Sequence, residues 1–230
     1  VKFFIALFIA MFVVTKARAQ PKTVEERIAE FGAIVQERLE PQFRAAGVPY
    51  PPAQVTMIGI KQERVLEVHA AGDDGVFRLI TTYPVLAASG VLGPKLKEGD
   101  RQVPEGIYRV PLLNPNSDFH LSLRLEYPND FERAMGARDG RTDLGTDIMI
   151  HGDARSRGCL AMGDPASEDL FVLAALTGIG NVKVILTPVD FRKQPDFAPP
   201  KGTPSWTGEL YEIIKRELAQ YDVRPDARGL

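Results

Sequence analysis

The chain contains one cysteine, Cys159, and three histidines, His69, His120 and His151. Two of these four residues share a short window, Ile148-Met149-Ile150-His151-Gly152-Asp153-Ala154-Arg155-Ser156-Arg157-Gly158-Cys159-Leu160-Ala161-Met162. A thiol with a pKa near ~8.5 is only a few per cent thiolate at neutral pH, and an adjacent imidazole can raise that fraction. The seven residues between His151 and Cys159 are enough for the chain to fold back and bring the imidazole to the sulfur. Gly152 and Gly158 leave the backbone unhindered at both ends, and Gly158 permits a turn with positive φ. The Gly158 and Cys159 amides can then face a developing oxyanion. Ser156 either meets substrate or holds the loop through a local bond to the backbone. Asp153 either tunes the imidazole or stays solvated. Spacing alone leaves three readings of Cys159 open: an inert buried thiol, an intermolecular bridge, or a nucleophile.

Composition narrows the class. Apolar residues make up 44% of the 230 and charged residues 25%, which places the chain among globular proteins rather than disordered ones. Twenty-eight basic against thirty acidic residues give a net charge of −2, with no basic stripe for nucleic acid and no acidic tail. One cysteine excludes both an intrachain disulfide and a cysteine-rich zinc site. A metal-dependent hydrolase built on His151, Asp153 and His120 lacks ligands at zinc-like spacing.

The elements around the window must position it. Thr23 and Glu26 form a capping box, followed by apolar residues at three- and four-residue steps (Val24, Ile28, Phe31, Val35, Leu39, Phe43), which predicts an amphipathic helix ending near Gly47. Tyr50-Pro51-Pro52 reads as an extended linker. From Val55 the period shortens: residues 57–60, 65–68 and 77–82 read as strands of two hairpins, and residues 107–110 and 120–123 as two more strands. A short helix follows Pro128. Residues 147–151 form a strand that stops at Gly152. Asp164-Pro165 reads as the N-cap and first residue of a helix through Leu176, and residues 182–186 return as a strand. The run from Lys95 to Asp100, with its opposed charges, reads as a solvated loop. A Pro-rich linker over 195–204 leads to a last helix over 206–220. Many short strands with few helices predict a mainly β fold with edge helices, of the α+β class, rather than alternating βαβ units. Four segments result: 1–19, 20–52 (helix and linker), 53–190 (the strand-rich unit that holds the window) and 191–230 (linker and helix).

Residues 1–19 have the pattern of an export signal: Lys2, an apolar run over 3–14, and Ala17-Arg18-Ala19 as a small-x-small site with cleavage after Ala19. Twelve apolar residues on a helix rise about 18 Å, short of the ~30 Å hydrocarbon slab, so no membrane span is expected once the signal is removed. The predicted location is the periplasm.

The string His151-Gly152, then Ser156-Arg157-Gly158-Cys159, resembles the active-site signature of the L,D-transpeptidase (YkuD-like) catalytic domain. The run Ser89-Gly90-Val91-Leu92-Gly93-Pro94-Lys95, with Gly99-Asp100, Gln102 and Pro104-Glu105-Gly106-Ile107-Tyr108, is similar to the YafK-like branch. So are Leu113-Asn114-Pro115-Asn116-Ser117 and Tyr127-Pro128-Asn129. The resemblance implies a β-sandwich catalytic domain for cell-wall biogenesis and cell shape. It implies Cys159 as nucleophile, His151 as general base, and the Gly152 carbonyl as the group orienting the imidazole. The thiolate would attack the carbonyl of meso-diaminopimelate in a peptidoglycan stem, D-alanine would leave, and an amine would resolve the thioester. The branch also implies the reverse sense, an amidase releasing Braun-type lipoprotein from peptidoglycan. No metal or organic cofactor is implied. The sequence departs from the wider family at Arg157, where many members carry histidine, and at Leu160-Ala161-Met162, where they carry an arginine. Arg155 or Arg157 is therefore the expected carboxylate-binding residue, and His120 either lines the cleft as a further candidate or packs in the core or at the surface. For the run from Lys95 to Asp100, the resemblance adds the alternative of a cover for the active-site cleft. The expectation from another class is a catalytically idle murein-binding module.

Overall fold

The computed structural model describes residues 20–223; the export-signal reading of residues 1–19 lies outside them. Helix α1 spans Val24–Ala46. Its start is the expected reciprocal cap: the Thr23 hydroxyl accepts from the Glu26 amide at 3.2 Å, and the Glu26 carboxylate accepts from the Thr23 amide at 2.7 Å. It ends at Gly47 in the left-handed conformation, φ 69°. Val35, Leu39 and Phe43 form its buried stripe. Alongside lies α3, Asp164–Thr177, where Asp169 and Glu168 pair with Arg38 of α1 at 2.7 and 3.0 Å.

Two five-stranded sheets carry the rest. The first runs β3 (Arg78–Pro84), β2 (Val65–Ala71), β1 (Gln54–Ile60), β10 (Val182–Thr187), β5 (Gly106–Arg109). The hairpins β1–β2 and β2–β3 are antiparallel as expected, while β10 returns parallel to β1. The second sheet runs β4 (Ala87–Ala88), β9 (Leu160–Ala161), β8 (Met149–His151), β7 (His120–Arg124), β6 (Leu112–Ser117). The fold is α+β with a strand-rich core, as its composition of short strands predicts.

The central strands are buried on both faces, and the period of two sorts their side chains. Val55 and Met57 of β1 and Val182, Val184 and Leu186 of β10 face a core shared with the second sheet, α1 and α3. Ile58, Ile60 and Ile185 face the other way, onto Trp206, Leu210, Tyr211, Ile214 and Leu218 around helix α4, Thr207–Leu218. The C-terminal helix is thus a second core face of the first sheet. The Tyr211 hydroxyl donates to Glu105 at 2.9 Å and the Trp206 indole to Asp139 at 2.9 Å, fixing it further.

Helix α2, Asp130–Arg138, is capped by Asn129, whose amide donates to the Glu132 carboxylate at 2.7 Å. The Tyr108 hydroxyl donates to the other Glu132 oxygen at 2.6 Å. Burial raises the Glu132 pKa to about 7, with the Tyr108 bond pulling it back. Between about pH 4.5 and 7 the folded chain therefore holds a proton at Glu132 that the unfolded chain has released. Stability conferred by this group is greatest at low pH and falls as pH rises across that window, by about 3 kcal/mol in all. Urea unfolding at pH 5 and pH 8 should show this loss, and Glu132→Gln, neutral throughout, should flatten it; equal slopes in the two proteins would refute the assignment.

Candidate active site

Strand register builds the site. β8 lies antiparallel to β7, with His151 opposite Ser122, and parallel to β9, with Ile150 opposite Leu160 and His151 opposite Ala161. Continuing that register back by one residue sets Cys159 beside Met149. Cys159 stands in the bend between Gly158 and β9, so the pairing of β8 with β9 brings it alongside the strand that ends in His151. The seven-residue loop between them closes this parallel connection. Gly152 is required by crowding, since a Cβ there would sit 2.5 Å from the Asp164 carboxylate and 2.8 Å from the Phe119 carbonyl. Gly158 is required by its φ of 104°.

His151 is buried and Cys159 half-buried. The His151 Nδ1 lies 2.5 Å from the Gly152 carbonyl, which can only accept, so Nδ1 carries the proton and Nε2 keeps its lone pair. Burial lowers the His151 pKa below 6.5, partly offset by that carbonyl and by Asp153. Burial also pushes the Cys159 thiol above its ordinary value, with the Met149 backbone pulling it back, Asp147 adding to the rise and Lys95 opposing it. A resting thiol beside a neutral imidazole follows. The sequence suggested an imidazole that raises the thiolate fraction; His151 is not among the groups that shift this thiol, and burial, the largest cause, acts in the opposite direction. The S–H donates to the Asp147 carbonyl at 3.7 Å.

A cleft of about 510 Å³ opens over the pair, lined by Phe119, His151, Arg155, Ser156, Arg157 and Cys159. Arg155 is held by Asp153 at 2.8 Å and lies over the Phe119 ring at 5.9 Å. Arg157 is exposed, with no ion-pair partner among the described residues. The Ser156 hydroxyl takes its local role: it accepts from the Cys159 amide at 3.1 Å and donates to the Cys159 carbonyl at 2.5 Å.

Three expectations are corrected. The Gly158 and Cys159 amides do not point into open space; the first donates to the Ser89 hydroxyl at 2.6 Å and the second to Ser156. Amides of a partly buried turn take the nearest acceptor, and these hydroxyls supply it. His120 does not line the cleft. It has a positive φ of 70°, its Nε2 lies 3.0 Å from Glu168, and its ring stands edge-on to Phe31. The ring that reaches the site is its neighbour Phe119, centroid 4.7 Å from that of His151. Finally, Gly163 and not Asp164 is the N-cap of α3; Asp164 begins the helix and accepts from the Asp153 amide at 2.9 Å, bracing the loop.

Among the described residues, His120, His151 and Asp153 do not form a group that could hold a metal ion. Lys95 is buried and paired with Asp100 at 2.6 Å, and the run between them borders a separate groove of about 1,110 Å³, not the thiol cleft. Sequence reading missed Phe119, Asp147 and Ser89. Phe119 left a signal as the large apolar residue in a polar hairpin turn, and Ser89 as the first residue of the YafK-like run.

Comparison with known proteins follows the same segment. The YkuD model, the L,D-transpeptidase catalytic domain, matches residues 54–190. YafK of Escherichia coli (strain K12) is 35% identical over 133 residues, which cover 56% of this chain and 51% of that one. The chain thus spans about half the length of the curated relatives it matches. Among solved structures, a variant of the helical cell shape determining protein Pgp2 from Campylobacter jejuni has a TM-score of 0.50 at 20% identity, covering 72% of this chain and 52% of that one. Bd1075 of Bdellovibrio bacteriovorus has a TM-score of 0.42 at 19% identity, covering 75% and 56%.

Proposed function

The chain belongs to the L,D-transpeptidase catalytic-domain family, and on that premise we propose that it is an exported cysteine acyltransferase acting on peptidoglycan stem peptides. The observation that carries this reading is that Cys159 and an Nδ1-protonated His151 line one cleft. In the proposed reaction the sulfur turns from the Asp147 carbonyl toward His151, whose Nε2 takes the thiol proton. The sulfur attacks the carbonyl of the L-centre of meso-diaminopimelate and forms a tetrahedral intermediate. Collapse breaks the amide bond; His151 returns its proton to the nitrogen of the departing D-alanine, leaving a thioester on Cys159. An amine then attacks, gives its proton to His151, and restores the thiol as it forms the new amide. The proposed location is the periplasm, a reading supported by the export-signal pattern of residues 1–19 and by the cell-wall family.

Of the two cleft arginines, Arg157 is the one whose guanidinium is not already engaged, so it is assigned the substrate carboxylate. Arg157→Ala should raise KM about tenfold with kcat little changed, and Arg155→Ala should do less. Equal effects of the two replacements, or none, would remove that role from Arg157.

The test of the whole reading is to incubate the protein first with tetrapeptide stems and then with sacculi bearing lipoprotein, and to identify products by mass. A thioester on Cys159 with cross-linked stems is the expected result. Released lipoprotein would establish the amidase sense through the same acyl-enzyme, with water as acceptor. No adduct and no product, with stems still bound, would establish an idle murein-binding module.

A further inference from the structure

Ser89 lies 69 residues from Gly158 in the chain, yet its hydroxyl oxygen accepts from the Gly158 amide at 2.6 Å. The same hydroxyl donates to the Arg101 carbonyl at 2.7 Å, so both its hydrogen-bonding directions are used across two loops. The placement has a cause in the sheet. β4 runs antiparallel to β9, with Ala87 opposite Ala161, Ala88 opposite Leu160, and the Leu86 amide donating to the Ala161 carbonyl at 2.9 Å. Ser89 follows β4 and Cys159 precedes β9, so the two are the next residues beyond this ladder. There the backbone ladder ends and the Ser89 side chain continues it, taking the amide just before the cysteine.

Ser89 is itself held. Its carbonyl accepts from the Val103 amide at 3.3 Å. Gln102, buried beside it, accepts from the Val91 amide at 2.9 Å and donates to the Gly93 carbonyl at 2.7 Å, knitting the 91–93 backbone to the start of the next segment. Gly158 leans on the same wall, since a Cβ there would lie 3.5 Å from the Gln102 carbonyl. Ser156 fixes the Cys159 backbone from within the loop, while Ser89 fixes it from outside, from a braced segment of the sheet edge.

We infer that Ser89 is a positioning residue for the nucleophile: its hydroxyl sets the Gly158–Cys159 turn at the orientation in which the sulfur can meet both His151 and a bound carbonyl. This rests on the reading of Cys159 as an acyl-accepting thiol. Ser89 touches neither substrate nor sulfur and acts through the backbone of Gly158.

The test compares the whole chain with Ser89→Ala and Ser89→Thr. Intact mass over time follows acylation of Cys159 by a carbapenem-type β-lactam, iodoacetamide at the same pH follows simple alkylation, and thermal unfolding follows the fold. Alkylation needs only an accessible thiolate, whereas acylation also needs the sulfur aligned with the imidazole and carbonyl. Ser89→Ala should slow acylation about tenfold or more with alkylation and melting temperature unchanged, and Ser89→Thr, which keeps the hydroxyl, should restore most of the rate. Acylation of Ser89→Ala at the wild-type rate, or no rescue by threonine, overturns the inference. Parallel losses of acylation, alkylation and melting temperature overturn it in favour of a structural role. A wild-type chain that alkylates but never acylates would instead defeat the acyl-enzyme reading itself, and this inference with it.

Discussion

Replacing Cys159 by alanine is expected to leave a folded chain that forms no covalent adduct and turns over no stem peptide. The sulfur is half-buried, and its hydrogen bond to the Asp147 carbonyl, at 3.7 Å, is weak. The backbone bonds that shape the turn run through Ser89 and Ser156 and survive the change. Loss of stability should therefore stay within about 1 kcal/mol. Loss of turnover should be on the order of 10⁴-fold or more, because no other group on the cleft can form the thioester. Intact mass after a carbapenem-type β-lactam, with thermal unfolding alongside, reads both quantities. An adduct that persists on the alanine variant would place the acylated group elsewhere and end the proposed mechanism.

His151 gives the second large effect and sets the pH dependence. Burial holds its pKa below 6.5 and holds the Cys159 thiol above its ordinary value. The resting pair is therefore neutral on both sides, and the imidazole must take the thiol proton during attack. A protonated imidazole cannot do so. Acylation should accordingly fall as pH drops through an apparent value below 6.5, a property of the coupled pair, and stay level through neutrality. His151→Ala should lower the rate at pH 7 by about 10²- to 10⁴-fold and leave a rate that climbs only as the thiol ionises by itself in alkaline solution. A variant with the wild-type pH profile would show that His151 is not the base. Because Phe119 packs on the ring at 4.7 Å, His151→Gln is a useful companion that fills more of the space.

How far the sequence reaches differs between parts of the molecule. The Thr23–Glu26 cap, the α1 stripe and the first hairpins were legible because each is written within a few consecutive residues. β6 was not, since Pro115 and its asparagines obscure a strand; it lies at a sheet edge, where a proline's missing donor faces no partner. β4 and β9 are two residues each, too short to show any period. Yet β4 and β9 flank the proposed nucleophile, and their pairing delivers Ser89 to Gly158.

The sequence by itself determined the Cys159–His151 window, the family to which it belongs, and the apolar periods that assign most elements. Only the tertiary structure decided which neighbour of a turn enters the cleft, Phe119 rather than His120, and which arginine is left uncommitted, Arg157 rather than Arg155. It also decided where the Gly158 and Cys159 amides spend their hydrogen bonds, and that α4 closes a core face of the first sheet. The division has one cause. Periodicity and capping follow from bonds between residues a few positions apart, whereas partners across sheets are chosen by register and by competition among all the acceptors and cavities that folding brings within reach.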